Sequence, residues 1–386
     1  MKYLLKTFTI IATFSSLLNA ATYEYPSLYK DARIMGMGGA NIALGGEAAS
    51  LFHNPAGLSG MDPEEGLEFE LFNFNGAFSS NTLNFVSDLS GAADEIAMIQ
   101  AFEAYYGENN HLTVNDYSSL SYRGERIAWS IGLLAGAQLN FQTHTLSAAS
   151  GILELNGMIS GGLISGISYD WDDDLHIGLG LKVLKGYSLA ADLTYGQVTA
   201  LTEAADAVTY LTDTFGKEIT ATNVDMGAIY DLDDVLPMGE SLRPSVGVSL
   251  SNIGGTDLGA YGYIPTTVNI GFAIRPDIPF LSDWAFAVDY IDLFNSLHKD
   301  HANDGVIDYD TSFTKRLRIG ARASLFHNSI IQLTGSTGLY NTAFTGALEM
   351  RLLIMTLVYS TYAEEIGAYG GQNLDRRHQL SLNIGF

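Results

Sequence analysis

The sequence predicts an all-β protein: a transmembrane antiparallel β-barrel of about fourteen strands, with a segment of its own chain plugging the lumen and short helices in the outer loops. Three observations predict it. The chain is 47% hydrophobic, with a mean hydropathy of +0.12 and 16% charged residues, where a soluble chain carries about 25%. Yet past residue 20 no run reaches the ~18 apolar residues of a helical span. Several stretches alternate apolar and polar residues with period two, and their connections alternate between tight and long, as in barrels with short periplasmic turns and long outer loops.

The first twenty residues read as a signal peptide. Lys2 and Lys6 precede a short apolar run from Thr7 to Leu18, and "LNAAT" offers a cleavage site after Ala20. The run is shorter than the ~20 residues of a membrane helix. The chain has no Cys, which excludes disulfides, thiolate metal sites and a lipid anchor on cysteine. Its formal charge of −24 argues against nucleic acid, which needs a basic face.

Residues 21–64 follow. They include "DARIMGMGGANIALGGEAASLFHNPAGLSG" (31–60), rich in Gly and Ala and too apolar for a solvated tail. A fourteen-strand lumen is too wide to fill with wall side chains alone. Small residues permit close approach to a wall, glycines supply turns and Pro55 fixes one. The segment is therefore expected to be a lumenal plug, and residues 65–386 the barrel.

Alternation defines the strands. In "IAWSIGLLAGAQLNF" (127–141), Trp129, Ile131, Leu133, Ala135, Ala137, Leu139 and Phe141 share one face. In "LHIGLGLKV" (175–183) and "KRLRIGARASL" (315–325) the apolar face opposes His, Gly, Lys and Arg. Strands are expected near 66–76, 112–123, 127–142, 157–170, 175–189, 218–231, 243–252, 264–275, 283–292, 312–326, 329–339, 341–351, 352–362 and 376–386. This even number puts both barrel ends on the periplasmic side. Gly132 and Gly136 mark a candidate kink. "GER" (124–126), "WDDD" (171–174) and "HN" (327–328) are tight turns; 79–111, 190–217 and 293–311 are long loops. Residues 90–108 and 199–216 have helical spacing. Trp129, Trp171 and Trp284 sit beside the tight turns, as an interfacial girdle would.

Two stretches carry a family resemblance. The chain ends "RRHQLSLNIGF", with Leu380, Leu382, Ile384 and Phe386 alternating to a terminal aromatic. This resembles the signal that the barrel-assembly machinery reads on bacterial outer-membrane proteins. "ARIMGMGGANIALGGEAASLFHNPAGLSGM" (32–61) resembles the N-terminal signature of FadL-type outer-membrane proteins. The matching residues are Met37, Gly38, Gly39 and Ala40, Ala48 and Ala49, then Asn54, Pro55, Ala56, Gly57 and Leu58. The resemblance implies a hatch inside the barrel, a location in the bacterial outer membrane among lipid and lipopolysaccharide, and passive uptake of hydrophobic compounds such as long-chain fatty acids or hydrocarbons. Ligand would enter at the outer mouth and leave sideways after the hatch moves. PorV-like and TraF-like proteins share this opening, and "LRPSVGVSLSNIGG" and "IPTTVNIGFAIRP" are similar to them. That alternative is a structural barrel in secretion or conjugal transfer, with a protein partner.

Alternation points Arg316, Arg318 and Arg322 into the lumen, and with them Lys182, Asp225, Asp289, Glu349, Arg351 and Arg377. Arginines there can grip a substrate carboxylate through paired hydrogen bonds, or pair with acids to hold the hatch. "HKDHANDG" (298–305) has metal-ligand residue types but no complete calcium-loop pattern, and reads as a solvated loop. No nucleophile elbow, catalytic triad spacing or phosphate loop occurs. No enzyme activity, cofactor or metal is expected.

Overall fold

The computed structural model describes residues 24–63, 66–144, 153–236, 239–276, 283–300, 307–367 and 369–386. The expected signal peptide (1–20) and residues 301–305 of "HKDHANDG" lie outside them. Fourteen strands form a closed barrel in which chain neighbours pair antiparallel. They are β1 Leu67–Ser79, β2 Asn109–Arg123, β3 Ile127–Thr143, β4 Leu153–Asp170, β5 Leu175–Leu193, β6 Gly216–Asp231, β7 Pro244–Ile253, β8 Thr267–Ile274, β9 Ala285–Tyr290, β10 Leu317–His327, β11 Ile331–Tyr340, β12 Ala343–Leu352, β13 Met355–Glu365 and β14 Leu374–Gly385. The last strand closes on the first, with Asn73 opposite Asn383 and Phe78 opposite His378. Residues 298–300 pair with 307–309 in a separate short ladder.

The two-residue period sets inside from outside. Leu133 (64% exposed), Leu179, Val248, Leu357 and Leu380 stand on the outer surface, where apolar area is stable only against lipid. At the end carrying both barrel termini, Tyr122 stacks on Trp129 at 6.0 Å and Tyr169 meets Trp171 at 6.5 Å. These rings suit an interface where one side is apolar and the other wet. A closed barrel, a lipid-facing belt and this girdle place the chain in a bacterial outer membrane. Trp284 is half-buried on the same side. Phe386 stacks on Phe69 at 5.6 Å, and Leu380, Leu382 and Ile384 lie on the outer face of β14 beside it.

Several expectations are corrected. The loop asymmetry, which includes the long outer connection from Tyr290 to Leu317, has one clear exception among the described residues. β11 and β12 are joined on the outer side by Asn341 and Thr342 alone, both at positive φ (49° and 73°), the geometry a two-residue hairpin needs. β2 to β5 are taller than β7 to β12, so the outer rim slopes. "RLLIMTLVYSTY" is apolar on both faces because Leu353 and Ile354 are a turn, both more than half exposed. Each expected loop helix is two. α-Helices Thr82–Ser90 and Glu95–Ala104 replace 90–108; Tyr195–Glu203 and Ala207–Phe215 replace 199–216. Asp94 and Asp206 break the runs because their carboxylates cap new helices, accepting from Ala97 N and from Val208 and Thr209 N. Phe85, Phe102, Val198 and Leu211 from these helices pack with Leu153 and Leu189 of the tall strands.

Gly132 and Gly136 do not kink β3, which keeps unbroken register with β2 and β4. They clear room instead: a Cβ at Gly132 would overlap the Tyr117 ring, and one at Gly136 would crowd Asn115. Register shifts lie elsewhere: in β1 between Glu70 and Phe72 against β14 and between Glu70 and Phe74 against β2, in β6 between Val224 and Met226, and in β10 between Ser324 and Phe326. At the shifts in β1, Asp116 accepts from Asn73 N at 3.0 Å, and Ser118 Oγ donates to the Leu71 carbonyl at 2.7 Å. Side chains substitute for the missing ladder bonds.

Candidate functional site: the lumen and residues 24–63

Residues 24–63 run around the inner wall. Residues 24–30 lie beside β14 and β1. Lys30 O accepts from Gln379 Nε2 at 2.7 Å and from Asn75 Nδ2 at 2.8 Å, and Gln138 Nε2 of β3 donates to Ser27 O at 2.9 Å. A short helix, Ala32–Gly36, is capped by Asp31, which accepts from Arg33 N. Its end reaches β12, where Thr345 Oγ1 donates to Gly36 O and accepts from Gly38 N. Gly38 and Gly39 have φ of 67° and 76°, and the chain turns there. Asp289 of β9 then accepts from Asn41 N at 2.6 Å and Ile42 N at 2.8 Å. Ser245 of β7 donates to Ala43 O at 2.9 Å.

The NPA motif continues the circuit. Asn54, fully buried, donates to Ile42 O at 2.8 Å and to Ala228 O of β6 at 3.3 Å, and accepts from Ala56 N at 3.1 Å. One amide thus ties two passes of the segment to each other and to the wall. Pro55 opens a 3-10 turn, Pro55–Gly60, where its missing N–H costs nothing. Gly57 lets this turn cross the earlier pass: a Cβ there would come 2.8 Å from Gly45 Cα. Leu58, Ala56, Ala40 and Met37 are buried.

The wall under this circuit is glycine. A Cβ at Gly338 or Gly320 would overlap Met37 or Gly38; at Gly271 or Gly247, Ile42; at Gly227, Asn54; at Gly178, Ala56; at Gly166, Leu51. Several are cross-strand partners: Gly320 with Gly338, Gly247 with Gly271, Gly178 with Gly227. They form one band at which backbone meets backbone.

Ion pairs tie down the start of the segment. Arg377 meets Glu24 at 2.6 Å and Asp375 at 2.9 Å; Lys30 meets Glu364 at 2.6 Å and Glu24 at 3.2 Å. Arg33 serves Glu47 at 2.9 Å, Asp31 at 3.2 Å and Glu70 at 3.8 Å. One cation does not neutralise three carboxylates. Burial, with repulsion from Asp31 and Glu70 and attraction from Arg33 and Arg322, leaves Glu47 pushed up to about 7. The docked segment therefore binds more protons than the undocked one between about pH 4.5 and 7. Docking is expected to be tightest below that window and to weaken as pH rises through 7. Hydrogen exchange of the amides of residues 36–58, corrected for intrinsic rates, measures this, and Glu47→Gln should flatten the profile. An unchanged profile in that variant would rule Glu47 out as the cause.

The inward charges singled out from the sequence do not form one site. Arg316 pairs with Asp292 at 3.2 Å. Arg318 donates to Asn341 at 2.9 Å and lies over the Tyr340 ring at 3.5 Å. Arg322 is half-buried further along β10. Glu349 and Arg351 line a cleft of about 280 Å³ at the periplasmic rim with Arg33, Glu70 and Phe386. Asp289 holds backbone N–H groups. The separation has two causes: Arg316 ends a helical turn, Phe313–Arg316, where a strand was expected from 312, and at about 3.3 Å per residue Arg318 and Arg322 stand roughly 13 Å apart along β10. Glu24, Lys30 and Glu364 escaped sequence reading because the pairs Lys30–Glu364 and Glu24–Arg377 join residues remote in the chain.

Two cavities lie between this segment and the wall. The larger, about 220 Å³, is lined by Leu28, Tyr29, Met35, Ile42, Phe52, Ile264, Ile291 and Tyr340, with Lys30, His53, Lys182 and Arg318. The second, about 150 Å³, shares Pro26, Lys30, Ile291, Arg318 and Tyr340 with it. Burial pushes His53 down to about 4, so it faces the cavity as neutral imidazole.

No family model and no curated protein sequence matches the chain. Solved structures do. The TodX deltaS2S3 mutant monoaromatic hydrocarbon channel aligns at 13% identity over 92% of this chain and 97% of its own, with a TM-score of 0.56. The Pseudomonas putida toluene transporter TodX aligns at 13% over 95% and 99%, TM-score 0.54. The Ralstonia pickettii toluene transporter TbuX aligns at 13% over 95% and 98%, TM-score 0.52. The chain has the FadL-type fold. At this identity the likeness is one of fold. These barrels are a monoaromatic hydrocarbon channel and toluene transporters, not enzymes.

Proposed function

We propose that the chain is a passive outer-membrane channel for uptake of hydrophobic compounds, with residues 24–63 as its hatch. The observation that carries this reading is the cavity of about 220 Å³ between the segment and the wall. A cavity of about 150 Å³ lined by apolar side chains holds benzene, so one ring with a few added carbons fits. A channel of this kind needs no energy source: an apolar body moves from outer-leaflet solution into the lumen and onward to lipid. The shifted register of β1, beside Glu70 and Arg33, interrupts the wall ladder on both sides of one strand next to the hatch, and serves as a lateral exit. The hydrocarbon channels of similar fold support the same class of cargo.

Mass spectrometry of an organic extract tests the proposal, using folded protein purified from its own outer membranes in short-chain detergent. A discrete apolar or amphipathic ligand at near-stoichiometric amount, absent from a control barrel, is expected. Bulk membrane lipid alone, with a co-purifying protein, would replace this reading with a scaffold in secretion or conjugal transfer.

A further inference from the structure

The cavity is not that of a pure hydrocarbon site. Four cations of the lumen each face an aromatic ring: Arg318 over Tyr340 at 3.5 Å, Lys315 by Tyr25 at 5.7 Å, Lys182 by Phe52 at 5.8 Å and Lys30 by Tyr362 at 5.9 Å. Three of these cations have a carboxylate partner. Lys182 meets Asp225 at 2.8 Å, Lys30 meets Glu364 at 2.6 Å and Lys315 meets Asp310 at 3.1 Å. Arg318 does not, among the described residues. It is 6% exposed, and its side-chain hydrogen bond goes to a neutral amide, Asn341. The acid opposite it in register, Asp289, makes no ion pair with it: its Oδ2 accepts from Asn41 N and Ile42 N, and its Oδ1 has no hydrogen-bond partner. Asp31, also on the cavity, is held by Arg33. Arg318 lines both cavities, so its guanidinium stands where they adjoin. A buried guanidinium without a counter-charge is costly, and its planar fork matches a carboxylate.

We infer that the cargo is a compact monocarboxylate with an aromatic or similarly bulky apolar body, its carboxylate held by Arg318 and its ring set among Tyr29, Phe52 and Tyr340. This rests on the uptake reading and narrows it. The volume suits one ring rather than a long extended chain. The supplied counter-charge converts the cost of a lone buried cation into binding, and a hydrocarbon supplies none. The net charge of −24 opposes the approach of an anion, so uptake of the acid should speed up as salt is raised, whereas uptake of an uncharged analogue should not.

Calorimetry on the full-length protein in detergent compares 4-ethylbenzoate with two uncharged analogues of like shape, 4-ethylbenzamide and 4-ethyltoluene. The benzoate is expected to bind at least roughly tenfold tighter than the amide, the difference expected of a hydrogen bond to a charged group, and R318M should bring the two to parity. R318K should restore part of the preference. If R318M does not fold, judged by heat-modifiable gel mobility, the comparison of acid and amide on the unaltered protein still decides. Equal or tighter binding of 4-ethyltoluene by the unaltered protein would overturn the carboxylate inference and leave hydrocarbon uptake standing. Failure of all three to bind, together with no flux into liposomes, would overturn the uptake reading as well.

Discussion

Deleting residues 31–60 is expected to leave a folded barrel that leaks. The ladder from β1 round to β14 closes without help from this segment, and its outer belt is stabilised by lipid. The inside is different. The wall beneath the segment presents Gly166, Gly178, Gly227, Gly247, Gly271, Gly320 and Gly338, which have no side chains to close the opening. A lumen of this strand number does not fill itself, and leakage to small hydrophilic solutes should rise at least roughly tenfold. Swelling of liposomes in small sugars measures it, with heat-modifiable gel mobility as the test of folding. Leakage at the unaltered level from a folded variant would show that the segment does not plug the pore.

Gly320→Val should undock the segment without deleting it. Valine suits a strand, so β10 should survive. Its Cβ, however, would overlap the carbonyl of Met37, and a backbone atom has no rotamer to retreat into. Overlap of this kind costs about 1–3 kcal/mol, roughly 5- to 150-fold in the population of the displaced segment. Displacement near Met37 also pulls Asn41 and Ile42 from Asp289. Trypsin at fixed pH reads the outcome, because Lys30 and Arg33 lie in the segment and are held in ion pairs with Glu364 and Glu47 while it is docked. Gly346→Val on the neighbouring wall is the control: a Cβ there has 3.6 Å to its nearest atom. Equal cleavage in both variants would mean that the glycine band does not seat the segment.

The strands were legible because their signal is local. Leu133 and Leu179 face lipid two residues from their like neighbours, and the period survives anywhere in the chain. All fourteen strands begin within a few residues of where alternation predicts them. The NPA motif was legible as a motif, but the contact of Asn54 with Ala228 was not, since it spans most of the first half of the barrel. Glycines were the most misleading residues. Gly132 and Gly136 looked like hinges and are clearances for Tyr117 and Asn115. Gly178 and Gly320 looked like ordinary members of an alternating face and are seats for Ala56 and Met37. What a glycine makes room for is set by a partner far away in sequence. The arginines failed for another reason: a shared face fixes direction, not depth, so Arg316, Arg318 and Arg322 found three different surroundings.

The glycine band also bears on how the barrel is made. Its members lie on seven strands and align only when each strand is paired at its native step. A slip by one residue would turn a strand's glycine outward and present a side chain to the segment. The seat therefore does not exist until most of the staves are joined correctly. The segment, synthesised before any strand, must wait for them and be enclosed rather than threaded in afterwards. Docking then inspects the finished joinery from within, and a misregistered barrel is left open, exposed to periplasmic proteases through its own unfilled centre.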